Sequence, residues 1–142
     1  MASFYIESAK EFRKAYTLPP LKSPDGIRLQ QSLISEEYAE FNQAASLAQK
    51  SYYNYKNREE MLKELADLMY VCFQMAAYMG WDIDEAFKRV HESNMSKLDD
   101  NGNPVRRDDG KILKGPNYKL PDLSDLVWQQ NWSLVQAEYK AG

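Results

Sequence analysis

Cysteine is almost missing from this 142-residue chain: Cys72 is the single thiol, so no disulfide framework holds the fold and a reducing compartment is the natural setting. It lies in the apolar stretch from Leu68 to Trp81, where a small core residue is expected. Histidine is equally scarce. His91 stands alone with no Glu three residues before it, which excludes the paired Glu-x-x-His ligands of a di-iron helical bundle. A basic excess is missing too. Lys and Arg number 18 against 21 Asp and Glu, a net charge of −3, and general nucleic-acid binding is set aside on that ground. No apolar run spans a bilayer, because the stretch from Leu68 to Trp81 is short and broken by Gln74, and no apolar signal region follows Met1-Ala2-Ser3. The expectation is a soluble cytoplasmic protein with no membrane partner. Repeats and low-complexity tracts are absent, and the length suits one core, so residues 1–142 read as a single domain.

What is present is mostly helical patterning. Tyr5, Ala9, Phe12 and Tyr16 recur at helical spacing ahead of the Pro19-Pro20 pair, which ends a first helix. Ser23, Pro24 and Asp25 supply turn and capping chemistry before a long amphipathic helix from Ile27 to Lys50, with Ile27, Ile34, Tyr38, Phe41, Ala45 and Ala48 as its stripe. A third helix runs from Arg58 to Met79, apolar nearly all round beyond Asp67 and closed by Gly80. Asp82 or Asp84 caps a fourth, reaching Lys97, with Ile83, Phe87 and Val90 inward. Asn101-Gly102 and Asp109-Gly110 are turn dipeptides flanked by Val105 and Ile112-Leu113, which predicts a small β-hairpin. A last amphipathic segment covers Leu123 to Tyr139. The sum is an all-α bundle of four to five helices with one hairpin excursion.

Two acidic blocks carry the chemistry: Glu36-Glu37-Tyr38-Ala39-Glu40 on the second helix and Glu64-Leu65-Ala66-Asp67 on the third. Residues three apart share a helix face at about 100° per residue, so Glu37 with Glu40 and Glu64 with Asp67 form two carboxylate pairs. Helix carboxylates are ordinarily solvated. Here Glu37 projects between Leu33, Phe41 and Ala44, and the line through Glu64 and Asp67 continues into Val71, Met75 and Tyr78. Acids so placed stay ionised when cations neutralise them, and a hard all-oxygen set suits Mg²⁺, with Mn²⁺ as a substitute. Glu37, Glu40, Glu64 and Asp67 are therefore the expected metal ligands.

Asn94 and Lys97 project with the inner face of the fourth helix and suit a phosphate clamp, whereas a lone helix-end lysine commonly snorkels. Lys111 or Lys114 of the hairpin is placed to close over a phosphate chain as a lid, although mixed charges around them also fit a solvated loop. His91 receives no role. A calcium loop at Asp99, Asn101 and Asn103 is rejected, because Pro104 stands where glycine is needed and Gly110 where the terminal glutamate belongs.

The blocks EEYAE and ELAD, 23 residues apart, followed by HESNMSKL and DDGKILKGPNYKLPDL, resemble the MazG-like all-α NTP pyrophosphohydrolases, whose mark is E-E-x-x-E then E-x-x-D. The chain is similar to the short phage and bacterial members from about Ile27 to Leu123. The resemblance implies hydrolysis of a (d)NTP to the monophosphate and pyrophosphate, with metal on the four acids, one glutamate such as Glu37 accepting a proton, and Lys97 on the phosphates. Glu36, the spare acid, orients the water or is simply solvated. It further implies a homodimer or homotetramer, and host cytoplasm for a phage-encoded protein. The short phage type points to dGTP and GTP, with a dUTP or dCTP hydrolase as the alternative within the family and a non-catalytic helical adaptor with a structural cation site as the alternative outside it.

Overall fold

A computed structural model describes residues 2–18 and 23–127. Among them the regular structure is helical: α1 (Phe4–Ala15), α2 (Pro24–Lys50), α3 (Tyr55–Met79) and α4 (Ile83–Met95), with a further helical turn at 124–127. No helix among these residues is long and apolar enough to cross a membrane. The chain divides into two compact units, residues 1–80 and 81–142.

In the first unit each helix starts where a side chain replaces a missing backbone partner. Ser3 accepts from the Ile6 amide at the head of α1, Ser23 from the Gly26 amide at the head of α2, and Asn54 from the Lys56 amide at the head of α3. Pro24 sits in the first turn of α2, where its absent N–H costs nothing. Gly80 closes α3 at φ 67°, a left-handed conformation that a Cβ would strain. The four residues between α2 and α3 fold the pair into an antiparallel hairpin, and α1 packs against α3.

Polar ties fix the register. Gln74, buried on α3, accepts from Arg13 Nη1 (3.3 Å) and donates to the Ala9 carbonyl (3.3 Å). Tyr5 stacks on Phe73 at 5.4 Å between ring centroids, and Phe12 meets Tyr70 edge-on at 5.7 Å. The Ser23 amide donates to the Tyr78 hydroxyl (2.9 Å), which lies where a Cβ on Gly26 would be, only 1.8 Å away. That close approach requires glycine at position 26. Among the described residues the core is narrow: Ile6, Ala9, Ala44, Ala48, Ala76, Tyr78 and Met79.

Several expectations are corrected. Tyr38 and Ile27 are exposed, and the packed stripe of α2 runs instead through Gln30, Leu33, Ile34, Glu37, Phe41, Ala44 and Ala48. Cys72 is exposed on α3 and is no core residue, because the helix is covered on two sides and not all round. Burial of part of its surroundings still pushes the thiol up from its ordinary value.

In the second unit Asp82 caps α4 by accepting from the Glu85 amide (3.0 Å). The packed face of α4 carries Arg89, Ser93 and Ser96, while Phe87 and Val90 are exposed, contrary to the inward placement expected of them. Ser93 Oγ donates to the Lys119 carbonyl (2.7 Å), and the Lys119 amide donates to Ser96 Oγ (3.0 Å), so the 115–122 segment is strapped along the helix. Arg89 grips Glu85 and Asp125.

The expected β-hairpin does not form. The chain reverses at Asp109-Gly110, with Gly110 at φ 88°, and makes one isolated antiparallel bridge between Arg106 and Ile112, but no strand occurs among the described residues. Two short arms with Pro104 on one side, charged tips and no third strand to pack upon lack the buried face that would extend the pairing. The amphipathic segment expected over Leu123–Tyr139 begins with the turn at 124–127; its remainder lies outside the described residues.

Candidate metal centre

Helices α2 and α3 set the acids face to face in the first unit. Carboxylate oxygens of Glu37, Glu40 and Glu64 all lie within 4.8 Å of one another. Glu64 is buried at 6% exposure, Glu37 is half-buried and Glu40 is exposed, so the cluster opens on one side. One oxygen of Glu37 and one of Glu64, both Oε2, are buried with no hydrogen-bond partner. Burial pushes the Glu37 carboxyl up from its ordinary value, and the charges of Glu40, Asp67 and Glu64 and a hydrogen bond with Glu40 push it the same way.

Asp67 is a near neighbour whose charge bears on Glu37, but its Oδ2 is engaged by Lys63 Nζ at 2.9 Å. The same ammonium reaches Glu64 Oε1 at 3.0 Å. Glu60, one turn before Glu64, shares a hydrogen bond with it that raises the Glu60 carboxyl. Neither Glu60 nor Lys63 figures in the sequence reading. The signal was available, since positions 60, 63, 64 and 67 are spaced by three and four and share one helix face.

The acidic set fits a divalent cation. The donors are all carboxylate oxygens, two of them orphaned in a partly dry site, and such orphans are costly unless something positive completes them. Glu37, Glu40 and Glu64 would hold the ion, with Asp67 within reach of the same charge.

The other expected site residues are placed differently. Glu36 is exposed on α2. Asn94, Lys97, Lys111 and Lys114 belong to the second unit. There Asn94 is exposed on α4, and Lys97 is half-buried just beyond it, its carbonyl accepting from the Gly115 amide (3.0 Å). Lys111 is exposed at the turn, and Lys114 lies over the Tyr118 ring at 4.7 Å. A cleft of about 420 Å³ runs between Arg89, Ser93 and Leu120 in that unit, and its one guanidinium is already spent on Glu85 and Asp125.

An α2–α3 hairpin with opposed glutamates on its packed faces defines an all-helical protein with a carboxylate metal-type centre. The chain belongs to the phosphoribosyl-ATP pyrophosphohydrolase family, which it matches over residues 5–94, a span that includes all the acids of the cluster; the family is part of the MazG-like all-α NTP pyrophosphohydrolase group. The chain is also similar to an uncharacterized protein of Acanthamoeba polyphaga mimivirus, 30% identical in an alignment of 104 residues that covers 51% of this chain and 41% of the viral protein. It thus spans about two-fifths of the length of that relative.

Proposed function

We propose that this chain is a divalent-metal-dependent nucleotide pyrophosphohydrolase, converting a (d)NTP to the (d)NMP and pyrophosphate. The observation that carries the reading is the pair of orphaned, buried oxygens on Glu37 and Glu64 within a pyrophosphohydrolase family match. A bound Mg²⁺ or Mn²⁺ supplies Lewis-acid withdrawal of charge from phosphate oxygens and makes water a better nucleophile. Glu37, Glu40, Glu64 and Asp67 hold that charge in place. A carboxylate oxygen of Glu36 or Glu37 takes the proton of the attacking water as the α–β phosphoanhydride bond breaks. Asn94 and Lys97 clamp the phosphate chain, with Lys111 or Lys114 closing over it.

The substrate is proposed to be a guanine nucleotide, dGTP or GTP, with an aromatic of the N-terminal half such as Phe4, Phe12 or Tyr16 stacking on the base. A second reading is favoured by the family's own description, in which the substrate is phosphoribosyl-ATP. Side-by-side kcat/KM values for all canonical NTPs and dNTPs and for phosphoribosyl-ATP, with Mg²⁺ and with Mn²⁺, separate the two. Guanine nucleotides ahead of dUTP and dCTP support the first; phosphoribosyl-ATP ahead of all of them replaces it. No pyrophosphate from any of them would leave the non-catalytic adaptor. Within the same assay Lys97→Ala loses substrate affinity and rate while metal binding survives, and unchanged kcat/KM removes the clamp.

The assembly is proposed to be a homodimer or homotetramer. On one face of α3 the apolar side chains Leu62 (66% exposed), Leu65 and Met69 lie open, a stripe with the three-and-four spacing of a helix seam.

A further inference from the structure

The acidic cluster already contains a cation. Lys63, on the same face of α3, bridges Glu64 Oε1 (3.0 Å) and Asp67 Oδ2 (2.9 Å), and both hydrogen bonds raise its pKa above the ordinary lysine range. The ammonium touches Glu64 and Asp67 and its charge bears on Glu60, while Glu64 and Asp67 bear in turn on Glu37 beside Glu40, so the whole cluster counts five carboxylates. Burial first and then the charges of its acidic neighbours raise the Glu37 carboxyl, and a hydrogen bond with Glu64 raises that of Glu60, whereas the two acids that Lys63 touches gain a positive partner. The oxygens it leaves untouched are the informative ones. Glu64 offers Oε1 to the lysine while its Oε2 remains buried and unpartnered, and Glu37 Oε2 is unpartnered too. The lysine satisfies one oxygen each of Glu64 and Asp67 and leaves the two buried Oε2 atoms without a partner.

We propose that Lys63 is the resident counter-ion of the metal-free centre, which a divalent cation must displace from Glu64 and Asp67 as it binds. The inference rests on the metal-centre reading above. Its physical basis is the mismatch between the two cations. An ammonium on a flexible four-carbon stem donates to carboxylate edges without losing its hydration, while a small divalent ion draws several oxygens to short distance and satisfies the orphaned pair. The lysine side chain is 59% exposed, so both of its ion pairs are screened by water and individually weak. Displacement is therefore easy, and the ammonium moves outward to solvent. The consequence is a metal affinity set lower than the acids alone would give, without the charge repulsion that five unneutralised carboxylates would impose on the metal-free fold.

The test is calorimetric titration of the full chain with Mn²⁺, at one pH and one salt concentration, comparing wild type, Lys63→Met and Lys56→Met. Lys56 also lies on α3, where it packs over the Tyr55 ring and touches none of the acids, so its variant removes the same charge from elsewhere on the helix. Lys63→Met is expected to bind Mn²⁺ roughly threefold to tenfold more tightly than wild type, and Lys56→Met to stay within about twofold of it. In a parallel NMR titration with Mg²⁺, the Lys63 side-chain signal of the wild type moves to the position of a solvated lysine as the metal site fills. If Lys63→Met binds Mn²⁺ no more tightly than Lys56→Met, or if the Lys63 signal stays put at saturation, the counter-ion role is overturned and the metal centre stands. If the wild type binds no Mn²⁺, the metal centre falls and the displacement with it.

Discussion

Glu37 shows how a single side chain gathers opposing demands. Its carboxyl is raised from the ordinary value of 4.5 by burial and by neighbouring acids, so the folded chain holds that proton more tightly than the unfolded one. In metal-free buffer its contribution to stability is therefore greatest in acid and is lost as pH rises from 4.5 through the raised value, above which the cost of the buried charge is constant. Glu37→Gln removes that slope. The variant is expected to melt higher than wild type at neutral pH in chelator, to keep its helical circular dichroism, and to lose more than about 100-fold in turnover with Mg²⁺. Near-normal turnover at saturating Mg²⁺ would remove Glu37 from the centre. The Glu-x-x-Glu and Glu-x-x-Asp spacing already carried these acids in the sequence, because one dominant rule, three residues to a shared face, governs which side chains meet. Lys63 was harder to see. A lysine beside a glutamate ordinarily reads as surface charge, and which oxygens it takes depends on the packing of α2 against α3.

At the scale of helices, several boundaries follow local chemistry that the sequence displays, namely Ser23 with Pro24, Asp82 and the left-handed Gly80, but the head of α3 does not: it starts at Tyr55 behind the Asn54 cap and not at the expected Arg58. The faces are less legible. Tyr38, Phe87 and Val90 are apolar and correctly spaced for burial, yet they are exposed, because an amphipathic stripe states that a partner is wanted without stating where the partner is. The turn at Asp109-Gly110 was likewise legible as a reversal, while the strands were not fulfilled, since strand pairing depends on a packed face that two short arms cannot provide. Gly26 marks the opposite case, a residue whose importance depends wholly on a distant helix. Gly26→Ala gains helix propensity but places a methyl group on the Tyr78 ring and displaces its hydroxyl from Ser23. The clash outweighs the propensity, and chemical denaturation is expected to show a net loss of about 1–3 kcal/mol. A stabilised Gly26→Ala variant would mean that the ring moves aside freely.

For the molecule as a whole, the narrow core and the open stripe on α3 belong together. Few large side chains are buried among the described residues, and Leu62, Leu65 and Met69 remain in contact with water unless something covers them. Light scattering at micromolar concentration is expected to return a multiple of the 16.5 kDa chain mass, and Leu65→Lys is expected to shift the population towards the single chain. A wild type that is monomeric at that concentration contradicts the assembly.

The Tyr78 hydroxyl seated on Gly26 closes one end of the α2–α3 hairpin, and the short connection at residues 51–54 closes the other. Helices fray from their ends, and here both ends of the pair are fastened, with the opposed acids in between. The peptide amides flanking Glu37, Glu40, Glu64 and Asp67 should then exchange with deuterium only when the whole hairpin opens, while those of α1 near Ala15 exchange sooner. A centre supported in this way keeps the separation of its acids from fluctuating with the local breathing of either helix, so its geometry is as durable as the unit that contains it.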